Sequence, residues 1–480
     1  MNIYINVSSI MTTLLSINGY GIPKKDESVI TKLKEELTMK PNVNFSITND
    51  TPKSFTIYNE SDKRLYVPRF YGLQKFGIPN KCTLNEGVHC DNLIFEGQLR
   101  EQQIEPVNNF IEAAKDPTRR GGIISVPCGF GKTIMSVYIA CYFQRKTMFV
   151  SHKDFLNQQF IDTVKQFVPN AKIGIIKQSK VDVDDKDFVI ASLQSLAMRE
   201  YDIDIFKQFG LVIIDEVHHL GAEVFSRAFR KISVNMILGL SATLNRKDGM
   251  RKVFEYYIGK SVYKHIKKEK ITVNVEIHKY YEPDIEYSNI KLLWNGKPNV
   301  TSMINNICSY NPRTEYILQI IKRILENENE RKILILSERR QQLGEIHKLI
   351  MEYDITKSIG YYVGKMSQAD LDISSTKQII LATYQMASEG MNIPTLNTVI
   401  FASPISDIQQ SIGRILREKE NERKYIPLCI DIWDEFSVFN QKGYTRVKYY
   451  NANNYDIKYF VQNMPVETKK QEKITFIDDE

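Results

Sequence analysis

The sequence predicts an α/β protein with two tandem parallel-sheet units behind an N-terminal accessory α+β region. Three observations carry this. From residue 93 onward, short apolar runs bounded by polar turns alternate with helix-length amphipathic segments. That texture stops and then restarts further along the chain. A length of 480 residues also exceeds one ordinary domain.

Residues 1–92 mix strand-like runs (FTIYNE, RLYVPRFYG) with one predicted helix around 27–37, and carry no motif that points to chemistry. The first unit, 93–264, holds apolar runs at GIISV (122–126), TMFVS (147–151), DFVIAS (187–192), LVIID (211–215) and MILGLSA (236–242). Such runs read as central parallel strands joined by crossover helices, because a strand buried on both faces loses its polar–apolar alternation. The polar stretch 265–312 reads as a linker or strand insertion. A second unit, 313–443, repeats the pattern at KILILS (332–337), QIILAT (378–383), TVIFAS (398–403) and IPLCIDI (426–432). Residues 444–480 read as a Tyr/Asn-rich tail, partly disordered, ending in acidic IDDE.

Composition bounds the function. Hydrophobic residues make up 42% and charged residues 25%, which describes a folded globular chain and excludes a disordered one. A net charge of +7 is mild at this length: compatible with nucleic acid, but no demonstration of it. The basic stretches 264–270 (KHIKKEK) and 331–340 (RKILILSERR) read as solvated faces when taken alone. Six cysteines, without a Cys-x-x-Cys pair, read as free thiols in a reducing compartment, and Cys82, His89 and Cys90 do not fit a zinc spacing. The N-terminus lacks a basic segment ahead of its short apolar stretch, and no run of about 18 apolar residues exists, so a soluble intracellular protein without membrane contact is expected.

The chemistry enters at PCGFGKT, which follows the GIISV strand and opens a helix. Here Pro127, Cys128, Gly129, Phe130, Gly131, Lys132 and Thr133 form a phosphate loop ending G-x-G-K-T. Glycines let backbone amides turn toward a polyphosphate, Lys reaches its terminal phosphates, and the Thr hydroxyl ligates Mg²⁺ beside the positive end of a helix. Val126 stands where the general pattern has another glycine. Downstream, LVIIDEVHHL ends an apolar strand in Asp215-Glu216. One carboxylate suits the Mg²⁺ hydration shell, and the second can orient and deprotonate an attacking water. A strand running into an acidic helix start is the bland alternative, and the ordered pairing with G-K-T weighs against it.

With these motifs the chain resembles the superfamily 2 helicases over about 95–443. D-E-V-H, with His218 as its last member, is similar to the family's D-E-x-H box. Ser241-Ala242-Thr243 matches the S-A-T motif, with Leu244 where Pro is common. Gln410, Gly413, Arg414 and Arg417 match Q-x-x-G-R-x-x-R. The resemblance implies two RecA-like units, ATP and Mg²⁺ as cofactors, and ATP hydrolysis coupled to movement on nucleic acid. Two arginines three apart are expected on one helix face, reaching across an interdomain cleft to neutralise charge on the γ-phosphate. His218, Ser241 and Thr243 would couple the two activities.

The remaining motifs are weaker. L-R-x-x-Q ahead of the first unit makes Gln103 a reader of the adenine edge or an ordinary helix-start glutamine. The resemblance places Ser151, His152, Ser192, Gln194 and Thr383 on the nucleic-acid backbone, and Gly390 and Asn392 near the nucleotide, with Asn392 where Asp is commoner. D-E-V-H-H-L and G-R-I-L-R look most like the branch holding the DNA translocase of the transcription and repair factor and the transcript-release helicases of large DNA viruses. DNA is therefore favoured over RNA, with transcription machinery as a further partner and host cytoplasm or virion as the location if the protein is viral. The alternatives are an ATP-dependent RNA helicase and a restriction or remodelling motor, the latter weakened because no methylase or nuclease motif appears in the chain. A non-catalytic scaffold is a further reading, disfavoured by intact catalytic positions.

Overall fold

A computed structural model describes residues 12–41, 53–91, 93–127, 129–217, 220–242, 248–265, 272–355, 357–389, 391, 393–418, 422–461 and 464–466. The chain divides into two compact units, 1–266 and 267–480. Both are built on parallel sheets, as the apolar runs predicted.

The first sheet has the order Lys180–Asp182, Ile173–Lys177, Phe188–Ser192, Thr147–Ser151, Leu211–Ile214, Met236–Ser241, Gly121–Ser125, Ser261–Lys264. All pairings are parallel except that of the Lys180–Asp182 edge. Alternate side chains of the central strands feed two separate cores: Val212 and Ile214 enter one, Leu211 and Ile213 the other. Both faces are therefore covered, which is why these strands read as unbroken apolar runs. The three strands preceding the G-K-T loop, the Asp-Glu pair and the S-A-T motif lie side by side, and their ends coincide, with Ser125 opposite Ser241.

The accessory residues form a five-stranded sheet in the order Asn59–Glu60, Arg64–Val67, Gly19–Pro23, Leu14–Ser16, Lys81–Cys82, with helices Glu27–Glu36 and Arg69–Phe76. They share a core with the first parallel sheet. Tyr20, Ile22 and Ile57 belong to the same buried cluster as Phe225 and Tyr257, and the Tyr257 hydroxyl donates to the Ile57 carbonyl at 2.9 Å. Buried Arg69 adds bonds to the carbonyls of Val234 and Asn235 at 3.0 and 2.8 Å.

The second sheet has the order Ile359–Tyr362, Ile379–Thr383, Ile333–Ser337, Thr398–Phe401, Leu428–Asp434, Asn274–Tyr280, Asp456–Val461, Met464–Val466. Of the two readings of 265–312, the structure carries the strand insertion: Asn274–Tyr280 is a strand paired in parallel on both sides. Its polar look came from Glu276 and His278, which are satisfied inside. His278 is fully buried, its ring facing Glu276 Oε2 at 3.2 Å and the Tyr316 hydroxyl at 3.0 Å, while Arg323 donates to the same Glu276 oxygen. The stretch after 443 is likewise ordered structure through 461, finishing the helix Ser437–Ala452 and adding the strand Asp456–Val461. Residues 467–480 lie outside the described residues. Asp431 explains that helix's attachment, since buried Arg446 grips it, while Asp434 holds the Asn311–Asn327 helix through paired bonds from buried Arg313.

Candidate nucleotide site and nucleic-acid edge

The G-K-T loop leaves the fully buried strand Gly121–Ser125 and enters the helix Lys132–Phe143. Gly129 and Gly131 take φ of +82° and +90°, a region that L side chains adopt with strain. Gly131 is required twice over, because an added Cβ would lie 2.2 Å from Gln103 Nε2. Thr133 is half-buried on the first helical turn. Cys128 lies outside the described residues.

Gln103 is buried and holds the loop from the opposite side. Its Nε2 donates to the Phe130 carbonyl at 2.8 Å, while its Oε1 accepts from the Arg100 amide at 2.8 Å and so caps its own helix. The side chain thus braces the phosphate loop, a role that sequence reasoning did not foresee.

Asp215 and Glu216 follow the strand Leu211–Ile214. The Glu216 backbone turns left-handed at φ +47°, and its amide donates to Asp215 Oδ1 at 2.9 Å. The turn faces the Glu216 carboxylate to the loop, where Lys132 Nζ donates to Glu216 Oε1 at 2.8 Å. Burial pushes the Asp215 carboxyl well above the usual carboxylate range. The Glu216 charge adds to this, and the Lys132 ammonium and the Glu216 amide oppose it. Two adjacent carboxylates, Asp215 and Glu216, are hard oxygen donors of the kind Mg²⁺ takes together with phosphate oxygens.

Ser241 ends the neighbouring strand, buried, and its carbonyl accepts from the Val126 amide at 3.0 Å, tying the S-A-T strand to the root of the loop. His218 and Thr243 lie outside the described residues.

Further along the same sheet edge, Ser151 and Ser192 are paired in register. The Gln194 Nε2 donates to the His152 carbonyl at 3.3 Å, so these four predicted residues do come together. Ser151 differs from its expected role. It is fully buried, and its hydroxyl serves Lys153 and Asn157, at 3.0 Å to the Lys153 carbonyl and 2.8 Å to Asn157 Oδ1. Asn157, on the buried side of the Asp154–Phe167 helix, is the partner the sequence did not reveal. Gln194 is exposed, and His152 and Ser192 are half-buried.

In the second unit the helix Gln409–Arg414 carries Gln410, Gly413 and Arg414. The helix stops there, so Arg414 and Arg417 do not share a helix face as expected. Ile412 and Ile415 both enter the core, at 0% and 1% exposure, and the helix is capped at Ile415. Arg414 is buried, with Nη1 donating to the Met391 carbonyl at 2.6 Å, whereas Arg417 is half-buried. A Cβ on Gly413 would meet nothing within 4 Å, so packing does not require that glycine. Thr383 ends its strand beside Ser337. Gly390 and Asn392 lie outside the described residues. Among the described residues, no helix is long and apolar enough to cross a membrane.

A phosphate cradle beside an Asp-Glu pair, on one of two parallel-sheet units, defines the class of P-loop motor ATPases. Residues 96–246 match the family model "Type III restriction enzyme, res subunit", and residues 315–419 match "Helicase conserved C-terminal domain". The chain belongs to the superfamily 2 helicases and is a nucleic-acid-dependent ATPase using ATP with Mg²⁺. It is 36% identical to the putative ATP-dependent RNA helicase L396 of Acanthamoeba polyphaga mimivirus, over 92% of this chain and 86% of that protein. Putative helicase 161L of Invertebrate iridescent virus 6 is 23% identical over 90% and 97% of the two chains. Putative ATP-dependent RNA helicase QP509L of African swine fever virus (isolate Pig/Kenya/KEN-50/1950) is 25% identical over 68% of each.

Proposed function

We propose that this chain is a translocase on duplex DNA, serving transcription or replication in a large DNA virus. The observation that carries the ATPase core of this reading is the contact between Lys132 and Glu216, which joins the phosphate loop to the acidic pair. Lys132 would hold the terminal phosphates, Thr133 and Asp215 would hold Mg²⁺, and Glu216 would take the proton of the attacking water. The water oxygen bonds to the γ-phosphorus as the bond to the β–γ bridging oxygen breaks, giving ADP and phosphate. Mg²⁺ when bound neutralises charge on the phosphate oxygens. Arg417 neutralises charge on the γ-phosphate, and Arg414, held by the Met391 carbonyl, fixes the turn that presents it. Gln194, His152 and Thr383 contact the nucleic-acid backbone.

Duplex DNA is favoured by the first unit's match to a restriction-enzyme motor model and by D-E-V-H in place of D-E-A-D. A second reading, an RNA helicase, is favoured by the names borne by the mimivirus and African swine fever virus relatives. ATP turnover of the full chain with single-stranded DNA, duplex DNA and RNA separates the two. Duplex DNA is expected to stimulate most, and stimulation by RNA alone would overturn the DNA reading.

A further inference from the structure

The second unit carries a hairpin, residues 289–299, that the ATPase motifs leave unused. Its sequence, NIKLLWNGKPN, holds two lysines and no carboxylate. Asn295-Gly296 is a tight-turn pair. The Gly296 amide donates to the Leu293 carbonyl at 2.9 Å, Gly296 adopts φ +76°, and the Leu293 amide donates to the Lys297 carbonyl at 2.7 Å. Below the turn Leu292 stands opposite Pro298, and the Asn299 amide donates to the Lys291 carbonyl at 2.6 Å. Trp294 is the second residue of the turn, so it stands at the tip, 87% exposed.

The root of the hairpin is rigid. On one side, fully buried Tyr287 donates from its hydroxyl to Asp434 Oδ1 at 2.8 Å, and Arg313 grips the same carboxylate. On the other, Asn299 caps the Val300–Ser309 helix by accepting from the Ser302 amide at 3.1 Å. An indole offered to solvent on a fixed support, with a lysine on each arm, matches what an unpaired base requires: a flat π-face for stacking and cations for the adjoining phosphates. Leu292, also exposed, extends the apolar surface beside it.

We propose that Trp294 stacks on an unpaired base of the nucleic acid, with Lys291 and Lys297 on the flanking phosphates. This rests on the helicase family and not on the choice between DNA and RNA. The chain has two tryptophans, and the other, Trp433, is buried at 3% exposure and shielded from contact with a ligand base, so the quenching that disappears in Trp294→Phe reports the tip.

The test titrates the full chain with an oligothymidylate of about 12 nucleotides and with its abasic counterpart. Emission should fall with the thymidylate, stay unchanged with the abasic strand, and stay unchanged in Trp294→Phe. Trp294→Ala should weaken thymidylate binding about tenfold, with ATP turnover in the absence of nucleic acid unaltered, which also shows that the variant is folded. Replacing both lysines by alanine should lower the slope of log affinity against log salt by about 1.4. Unchanged thymidylate affinity in Trp294→Ala would overturn the proposal and leave the tip as a surface for a protein partner. Equal quenching by the abasic strand would overturn it too. A wild-type chain that no nucleic acid stimulates would strike the family's activity itself, a failure distinct from either of these.

Discussion

Lys132 and Glu216, 84 positions apart in the chain, form a largely enclosed ion pair at 2.8 Å, with side-chain exposures of 10% and 17%. The phosphate-loop lysine is therefore also the counter-charge of the acidic pair. Lys132→Ala is expected to abolish ATP turnover. It should also destabilise the nucleotide-free protein by roughly 3 kcal/mol, since it strips a buried carboxylate pair of its cation. Urea denaturation and a steady-state ATPase assay check both. Turnover within a few-fold of wild type would remove Lys132 from the phosphate site.

Glu216→Gln separates binding from hydrolysis. On the proposed roles Asp215 and Thr133 would still bind Mg²⁺-ATP, while the proton of the attacking water would have no acceptor. A long-lived ATP complex on nucleic acid should accumulate, measured by filter retention of labelled ATP. Rapid hydrolysis by this variant would assign the water to another residue.

Gly413 distinguishes packing from ligand contact. Because a Cβ there meets nothing within 4 Å, Gly413→Ala should leave the thermal midpoint unchanged or slightly raised, by the usual gain of alanine over glycine within a helix. ATP turnover should fall if the bare backbone is needed by a ligand. A variant as active as wild type would make the glycine incidental.

Arg417→Ala should cost roughly 10³-fold or more in turnover, with ATP binding affected far less, because the charge is needed mainly in the transition state. Arg414→Ala should instead lower the stability of the second unit, since it removes the bond to the Met391 carbonyl. Comparing turnover, ATP affinity and urea midpoints of the two variants decides whether the arginines divide their labour in this way.

The pairing of buried His278 with half-buried Glu276 makes the second unit acid-sensitive. Burial holds the His278 ring below its ordinary value of 6.5, outweighing the attraction of Glu276. Burial alone would raise Glu276, but its bond from His278 and the Arg323 charge hold it below 4.5. Both signs agree: the unfolded chain binds more protons, so stability falls as pH falls, first below about 6.5 and again below about 4.5. Both tryptophans lie in this unit, so the urea midpoint followed by their emission checks it. His278→Gln should flatten the upper limb.

Local signals specify the strands buried on both faces and the loops that follow them: continuous apolar runs, a glycine loop and strand-terminal carboxylates. The G-K-T loop and the Asp215-Glu216 pair were legible for that reason. Tertiary structure decided the rest. Only strand order sets the loop's strand beside those of the acidic pair and the S-A-T motif, and only long-range partners make Gln103 a brace of the loop. Asn274–Tyr280 was illegible as a central strand because its polar residues find their partners on the distant Asn311–Asn327 helix. Ser151 reads as a surface hydroxyl but is buried on Asn157, and Arg414 reads as equivalent to Arg417 but is buried on the Met391 carbonyl where the helix ends. Hydrogen-bonding partners, six residues away for Ser151 and 23 to 47 residues away for Gln103, Glu276, His278 and Arg414, set these side chains' roles, and a linear pattern does not carry that information.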